Sequence, residues 1–351
     1  MKFLRKSRLT SAVAGAVWLL AGCSSGNQGA GQVPLGAESR AGTPSLSHAA
    51  AQSLSLSPAK IEHNTWAAGA SMPVAALLAG AGAIGSKIYV VGGVNASGVL
   101  GLNQIYDTAS NTWSSGAPML TPRWAFATAV VGGTLYAIGG QTAGGAITNV
   151  VESYDPTTDS WSTQAAMPTY RDSLVAAVYD GTIYAVGGYA GDSRQATVEA
   201  YDAAANTWSE KTPLGVAKSN PGVGTIGATI YAASGLGNGG TTTDNEAYAT
   251  KTNKWKSKAA APIVQNAACA AVVKNKLYLA GGADETGAPL GTLEQYDPKP
   301  SKAPLAAMPR TQIGAAAATV NNLLYCFGGA SNGYPFGTGA TFYSNVQIYT
   351  P

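Results

Sequence analysis

Short apolar segments recur along most of this chain and are separated by turns rich in glycine, asparagine and aspartate. One stretch shows the pattern: residues 125–131 read AFATAVV, Gly132 and Gly133 follow, and residues 135–138 read LYAI. After a longer loop come residues 150–154 (VVESY), a DPTTD turn, and residues 160–163 (SWST). Apolar runs of this length between such turns predict four short β-strands.

The same pattern returns about every 47 residues. Glycine pairs begin at Gly92, Gly139, Gly187, Gly281 and Gly328, and Ser234-Gly235 fills the remaining place at the same spacing. A tyrosine follows each pair, at Tyr106, Tyr154, Tyr201, Tyr248, Tyr296 and Tyr349. A tryptophan recurs at Trp66, Trp113, Trp161, Trp208 and Trp255. The chain therefore contains six copies of one four-stranded unit.

Repeated four-stranded units of this length predict a β-propeller, here all-β and six-bladed. The first strand of each unit is built from small residues, as in AFATAVV, SLVAAVY, AACAAVV and GAAAATV. Inner strands of neighbouring blades converge on the propeller axis, where bulky side chains would collide. The composition of these strands therefore agrees with the predicted architecture.

The order and spacing of the glycine pair, the tyrosine and the tryptophan resemble the kelch repeat, over about residues 62–351. The chain departs from that pattern at Ser234, at Ala249 and near Lys302, where a sixth tryptophan is missing. Trp66 precedes the first glycine pair, and the last unit ends after its third strand. We expect residues 62–67 to complete the sixth blade and to close the ring.

The N-terminus has the features of an export signal. Four cations lie in the first eight residues, a short apolar stretch follows, and the segment ends in Leu20-Ala21-Gly22-Cys23. This ending resembles the bacterial lipobox, which implies cleavage before Cys23 and lipidation of its thiol. By the sorting rule for such proteins, Ser24 after the cysteine favours the outer membrane of a Gram-negative cell.

Three regions follow from these patterns. Residues 1–22 are predicted to be a lipoprotein signal peptide, and residues 23–60 a lipidated cysteine with a flexible tether rich in Ser, Gly and Ala. Residues 61–351 are predicted to be the propeller. We expect a membrane partner through the lipid, and exposure of the propeller in the cell envelope.

The charge changes once the export signal is set aside. The whole chain carries +3, but four of its 21 cations lie in the first eight residues, and 17 cations then face 18 acids. This balance argues against nucleic acid as a partner. With two histidines and no phosphate-binding loop in the chain, we expect no cofactor, no metal and no catalytic residue.

Cys269 and Cys326 occupy small core positions of two predicted strands. We expect buried free thiols there, although a disulfide between adjacent strands stays open because the sequence cannot show how closely they approach. Asp107, Asp155, Asp202 and Asp297 recur with the repeat, which is typical of turn formers.

A binding site is expected where the units differ, on the face that carries the loops entering the first strands and those joining strands two and three. Candidates entering the first strands are Arg123, Trp124, Arg171, Asp172 and Lys218. Candidates in the second set of loops are Tyr189, Arg194, Tyr334 and Phe336, and Asp284 and Glu285 add negative charge there. Arginines beside aromatic rings suit a protein or an anionic glycan. Alternatively, Arg123 and Arg171 brace the blades.

Two functions from different classes remain. The first is a lipid-anchored binding module for a protein or glycan. The second is an enzyme, since exported six-bladed kelch propellers include sialic-acid mutarotases, with Arg123, Arg171 and Asp172 as the best local acid–base and anion-binding candidates. A copper oxidase of the galactose-oxidase kind is disfavoured by the scarcity of histidine.

Overall fold

A computed structural model describes residues 63–297, 305–331 and 339–351. The described residues are all-β: they form strands and turns, and none of them lies in a helix. No helix in these ranges is long and apolar enough to cross a membrane.

Six sheets follow one another along the chain, and their strands share one arrangement. The first strands are Gly80–Ile84, Ala127–Val131, Val175–Tyr179, Gly222–Ile226, Cys269–Val273 and Ala316–Val320. The second strands are Lys87–Val91, Thr134–Ile138, Thr182–Val186, Thr229–Ala233, Lys276–Ala280 and Leu323–Phe327. The third strands are Asn103–Asp107, Val151–Asp155, Val198–Asp202, Asn245–Ala249, Leu293–Tyr296 and Val346–Thr350.

Fourth strands are described in five of the sheets: Thr112–Gly116, Ser160–Thr163, Thr207–Lys211, Lys254–Lys258 and, in the sixth sheet, Thr65–Gly69. The fifth sheet has three described strands. All pairings are antiparallel between neighbours, with Leu135 facing Val130 on one side and Tyr154 on the other. Thr65–Gly69 pairs antiparallel with Val346–Thr350, and Trp66 faces Tyr349. The N-terminal end of the described chain therefore joins the last sheet.

Seven two-residue strands lie in the connecting loops. They are Val94–Asn95, Gly98–Val99, Arg123–Trp124, Gln141–Thr142, Lys218–Ser219, Leu236–Gly237 and Gly240–Thr241. Most lie at one end of the sheets, which we call the loop face: the end that carries the loops between second and third strands and the segments entering the first strands. These short pairings hold the loops of that face in fixed conformations.

The glycine pairs connect each sheet to the next. The N–H of Gly140 donates to the carbonyl of Arg171 at 2.9 Å, and the same link recurs from Gly329 to the carbonyl of Ala76 at 2.8 Å. Gly139 has a φ of +65°, and a Cβ there would lie 2.5 Å from the Arg171 carbonyl. Glycine is needed because two backbones approach each other at a positive φ.

The recurring aromatic residues also join neighbouring sheets. The Trp161 indole donates to the carbonyl of Ala117 at 2.9 Å, while the Tyr154 hydroxyl donates to Asp159 at 2.7 Å. The same Asp159 carboxylate accepts the N–H of Ala117. Trp66, Trp113, Trp208 and Trp255 each donate to a backbone carbonyl in the same way. These residues belong to the framework, as the repeat pattern predicted.

Three of the recurring aspartates, Asp107, Asp155 and Asp202, act as turn formers. The carboxylate of Asp107 accepts hydrogen bonds from the N–H groups of Ala109 and Ser110, and that of Asp202 accepts them from Ala204 and Ala205.

The first strands of neighbouring sheets lie against one another, and small residues such as Ala129, Ala177 and Ala318 allow their close approach.

The expectation of free thiols is wrong. Cys269 and Cys326 form a disulfide, with their Cα atoms 5.8 Å apart. Cys269 lies in the first strand of the fifth sheet and Cys326 in the second strand of the sixth, so the bond joins two sheets. The close approach of small-residue strands brings both cysteines within bonding distance, which sequence alone could not show.

Candidate functional site

Three cations predicted at the rim are fully buried and paired. Arg123, Arg171 and Lys218 are each 0% exposed. Their nitrogens lie 3.1, 2.6 and 3.6 Å from carboxylate oxygens of Glu152, Glu199 and Glu246, respectively, in the third strands. The expectation of exposed donors at the rim is therefore wrong, and the alternative that these cations brace the sheets is favoured.

Arg171 shows how many hydrogen-bond partners surround such a buried cation. Its guanidinium donates to the Thr169 hydroxyl at 2.8 Å, to the carbonyls of Gly187 and Thr197, and to Glu199. Burial lowers the pKa of Arg171, and the negative charge of Glu199 opposes that effect. A guanidinium with this set of partners has little capacity left for a ligand.

Trp124 is also buried, with 4% of its surface exposed. It packs in an apolar cluster with Leu77, Val94, Ala125 and Ala330. It is the one tryptophan of the described chain outside the repeated series, and its ring fills a gap beneath the loops of the first and sixth sheets. A flat surface for ligand stacking is not available at this position.

Asp172 follows Arg171 but, unlike it, takes part in none of the ion pairs of the described residues. The residue is 2% exposed, and its Oδ1 has no hydrogen-bond partner. Burial raises the pKa of Asp172 to about 6. Its backbone pairs with that of Tyr189 in both directions, so Asp172 adjoins the loop that begins at residue 189.

Two predicted candidates, Tyr334 and Phe336, lie outside the described residues, as do Cys23 and residues 1–62. The remaining two, Tyr189 and Arg194, come together at the loop face. The Arg194 guanidinium carbon lies 5.8 Å from the centre of the Tyr189 ring. The Tyr189 hydroxyl donates to the Gly191 carbonyl at 2.6 Å, which fixes the ring in its loop.

Tyr189 and Arg194 line a cavity of about 800 Å³ on the loop face, which we call the face pocket. The third, fourth and fifth sheets contribute most of its walls, and Ile313 before the sixth sheet contributes the rest. Its polar and charged lining residues are Ser173, Tyr189, Asp192, Arg194, Ser219, Asn220, Thr241, Asn266, Asp284, Glu285 and Thr286. Polar groups that converge in a concave site of this size are typical of ligand pockets.

Sequence reasoning missed most of the residues between Arg194 and Asp284. Ser219 and Asn220 follow the buried Lys218, and Asn266 follows the buried Gln265. A usable signal was present: short polar side chains lie one or two places after Arg171, Lys218 and Gln265, whereas Arg123 is followed by Trp124 and Ala125. The sequence did not show that those of the third to fifth sheets share one cavity.

The face pocket carries more negative than positive charge. Asp192, Asp284 and Glu285 line it together with one cation, Arg194. The pKa of Asp284 is lowered because the Thr286 hydroxyl and the N–H groups of Ala288 and Thr286 donate to its carboxylate. The buried cations do not offset this charge, because each already has a carboxylate partner.

Family comparison agrees with the repeat pattern. Residues 79–282 match the model of the KLHDC2/KLHL20/DRC7 kelch-repeats domain, which covers more than half of the chain. The chain belongs to the kelch-repeat family. Residues 266–299 also match the single kelch motif, across the fifth sheet.

The kelch fold is also found in a solved structure, that of YjhT, which is 18% identical to this chain. The match has a TM-score of 0.68 and covers 79% of this chain and 96% of that one. At this identity the likeness concerns the β-propeller fold. No curated protein sequence matches the chain.

Across the described part of this kelch protein, no group of three or more His, Cys, Asp or Glu side chains is arranged to hold a metal ion.

Proposed function

We propose that this kelch propeller is a binding module and that its ligand, a protein or a glycan, occupies the face pocket. The observation that carries the proposal is the pocket itself: about 800 Å³, with polar side chains from three sheets directed into one cavity. The recurring Gly, Tyr, Trp and Arg residues are occupied in holding the sheets together. The variable loop residues are the ones left for recognition.

A six-bladed ring closed by the N-terminal strand is part of this proposal. It is supported by the pairing of Thr65–Gly69 with Val346–Thr350, and by the hydrogen bond from Gly329 to Ala76. Contacts between the first strands of the first and sixth sheets also support it. A closed ring would hold the loops of the third to fifth sheets in a fixed relation around the face pocket.

A pocket-filling substitution tests the binding proposal. Ala288 is exposed in the wall of the face pocket, and Ala288→Trp would place an indole in the cavity. Ala205→Trp is the matched control, because Ala205 is exposed in a turn between third and fourth strands, at the opposite end of the sheets. Glycan and peptide arrays should give ligands that the wild type and Ala205→Trp retain and Ala288→Trp loses. Equal binding by all three proteins would refute the pocket as the site.

A second candidate function is a carbohydrate isomerase resembling sialic-acid mutarotase. One observation favours it: Asp172 is a buried carboxyl whose pKa burial raises to about 6, and its backbone pairs with Tyr189 of the face pocket. A carboxyl with a raised pKa suits general acid–base work. Arg123 and Arg171 do not support it, because they are held by Glu152 and Glu199. Exchange NMR on sialic-acid anomers would test it, and a rate equal to that of buffer alone would exclude this activity.

We also propose export and lipid anchoring through Cys23, with exposure in the bacterial envelope and the outer membrane favoured in a Gram-negative cell. The Cys269–Cys326 disulfide supports an oxidising compartment, where such bonds persist. Cys23→Ser should appear as a soluble or uncleaved protein in cell fractionation. If that variant were cleaved normally and stayed in the membrane, the lipid anchor would be wrong.

A further inference from the structure

Three lysines form a row on the outermost strand of the fourth sheet. Lys254, Lys256 and Lys258 are all exposed, and we call them the lysine row. Because the side chains of a strand alternate between its two faces, the three lie on one side, with about 6.6 Å between successive Cα atoms of the row. Trp255 lies on the other side, where its indole donates to a backbone carbonyl of the third sheet. The lysine row is therefore a regular line of positive charge on the side turned away from the third sheet.

The residues around the lysine row do not balance its charge. Residues 249–262 contain four lysines and no acid, and none of the ion pairs of the described residues includes a lysine of the row. In the first three sheets, the residue opposite the start of the fourth strand is an aspartate: Asp107, Asp155 and Asp202. In the fourth sheet that residue is Ala249, which lies opposite Lys254. The carboxylate that the repeat usually places there is thus missing beside the row.

The lysine row is specific to the fourth sheet. Counted from the tryptophan, the same places in the other described fourth strands hold mostly small, uncharged residues: Thr65, Ala67 and Gly69; Thr112, Ser114 and Gly116; Ser160 and Ser162; Thr207, Ser209 and Lys211. Lysines on an edge strand oppose its pairing with other chains. Since the other edge strands lack such a row, protection of an edge does not by itself account for it.

The strand that carries the lysine row has one side open to a further strand. Among the described residues it pairs with Asn245–Ala249 alone, and it is the last strand of its sheet. An extended peptide can add to an open edge of this kind through backbone hydrogen bonds. Side chains directly opposite each other in an antiparallel pair have Cβ atoms about 5 Å apart. Every second side chain of an added peptide would therefore lie beside one lysine of the row.

We propose that the outer edge of Lys254–Lys258 binds an extended segment of a partner protein with acidic side chains at alternate positions. Such a segment, added as an antiparallel strand, has the same two-residue period as the lysine row, so each carboxylate meets one ammonium group. A second copy of this strand would place lysine against lysine, which is unfavourable. The lysine row therefore favours an acidic strand over another copy of itself. This surface is separate from the face pocket, because none of the three lysines lines that cavity.

Peptides of equal charge test whether the spacing is recognised. One probe is a heptapeptide with glutamate and threonine in alternation, beginning and ending with glutamate, and the other has the same composition with its four glutamates in one block. Fluorescence anisotropy would measure binding to the full-length Cys23→Ser protein, in which no lipid contributes. We expect the alternating peptide to bind about tenfold more tightly than the blocked one, and added salt to weaken its binding.

Backbone methylation tests the pairing itself. In an added strand, alternate residues direct their N–H groups toward the protein. N-methylation of one alternate set, either the glutamates or the threonines, should therefore abolish binding of the alternating peptide, and N-methylation of the other set should leave it largely unchanged. Equal tolerance of both modifications would refute strand addition.

Variants of the protein separate the lysine row from net charge. The triple variant Lys254→Gln/Lys256→Gln/Lys258→Gln should bind the alternating peptide about tenfold more weakly, because three exposed charge contacts are lost together. A charge-matched control keeps these changes and adds lysines at three exposed first residues of other fourth strands: Thr112→Lys, Ser160→Lys and Thr207→Lys. It should bind as weakly as the triple variant, with an unchanged melting curve.

Ala288→Trp separates this surface from the face pocket and should bind the alternating peptide like the wild type. Loss of binding in that variant would place the peptide in the face pocket and overturn the inference. Equal binding of the two heptapeptides, or full binding by the charge-matched control, would also overturn it, because only net charge would then matter.

The remaining outcomes identify what the lysine row does instead. If polygalacturonate, or vesicles of phosphatidylglycerol and phosphatidylcholine, bound through the row while the alternating peptide did not, the inference would be wrong and the occupant would be a polysaccharide or a membrane. If the triple variant associated with itself and kept its affinity for the peptide, the row would only protect the edge, and the inference would again be wrong.

Discussion

Glu294 occupies the position at which the second, third and fourth sheets carry a buried ion pair, but it has no cation opposite. Gln265 stands where those sheets have Arg123, Arg171 and Lys218, and its amide donates to Gly281 and Thr292. The Glu294 Oε1 is buried without a hydrogen-bond partner. We therefore predict that Glu294→Gln stabilises the protein, whereas Glu246→Gln, the same change one sheet earlier, destabilises it.

The expected change in the free energy of unfolding follows from the pKa of Glu294, which burial raises from 4.5 to about 7. The folded state then holds a proton that the unfolded state has lost, so stability falls as the pH rises from 4.5 through 7. This difference corresponds to roughly 3 kcal/mol above pH 7, and to about 2 kcal/mol for a half-buried group after solvent screening. Glu294→Gln should recover that amount at pH 8 and very little at pH 4.5.

We expect Glu246→Gln to have the opposite effect on stability. The Lys218 ammonium is fully buried 3.6 Å from Glu246, and burial lowers the pKa of Lys218 while Glu246 opposes that effect. Removing the carboxylate leaves a buried charge without its partner, which costs about 3 kcal/mol. Denaturant unfolding of the wild type and both variants at pH 4.5 and pH 8 would measure these differences. A destabilised Glu294→Gln, or a wild-type pH dependence that survives in it, would refute the reasoning.

Three further predictions concern the framework. Reducing the Cys269–Cys326 disulfide, which closes a loop of 57 residues, should lower the free energy of unfolding by about 4 kcal/mol, and a melting curve unchanged by reductant would contradict this. Arg171→Ala should destabilise the protein by about 3 kcal/mol, because Glu199 is left buried and unpaired; an unchanged denaturation midpoint would count against the brace. Trp124→Ala should cost about 3 kcal/mol through the cavity it leaves, measured in the same way, and a loss below 1 kcal/mol would mean that the ring is not part of the core.

The repeat made most of the fold predictable. Residues that recur in the repeated units marked the turns and the framework in advance, as the turn at Asp107 and the hydrogen-bonded indole of Trp161 show. The predicted strand at residues 62–67 corresponds to Thr65–Gly69 in the structure, a shift at its ends that spacing alone could not remove. The periodicity of a sequence predicts the existence of a strand more accurately than the residues at which the strand begins and ends.

Ligand binding and bracing of the blades both stayed open for Arg123 and Arg171, because the residues next to each arginine do not show which partner it meets. Arg171 and Lys218 are each followed 28 residues later by a glutamate, and Arg123 by one 29 residues later. This recurring pair of opposite charges marks an internal contact. The face pocket could not be predicted, because it depends on which loops converge and on which charges remain unpaired after the braces form.

Hydrogen exchange on the bound protein tests the central claim most directly. The protein would be labelled with and without a ligand obtained from the arrays, and protection would be mapped by peptide. We predict protection confined to residues 189–197, 236–242 and 283–291, the loops around the face pocket. Protection confined to the turns at the opposite end of the sheets, or to the outer strands, would contradict the assignment of the face pocket as the binding site.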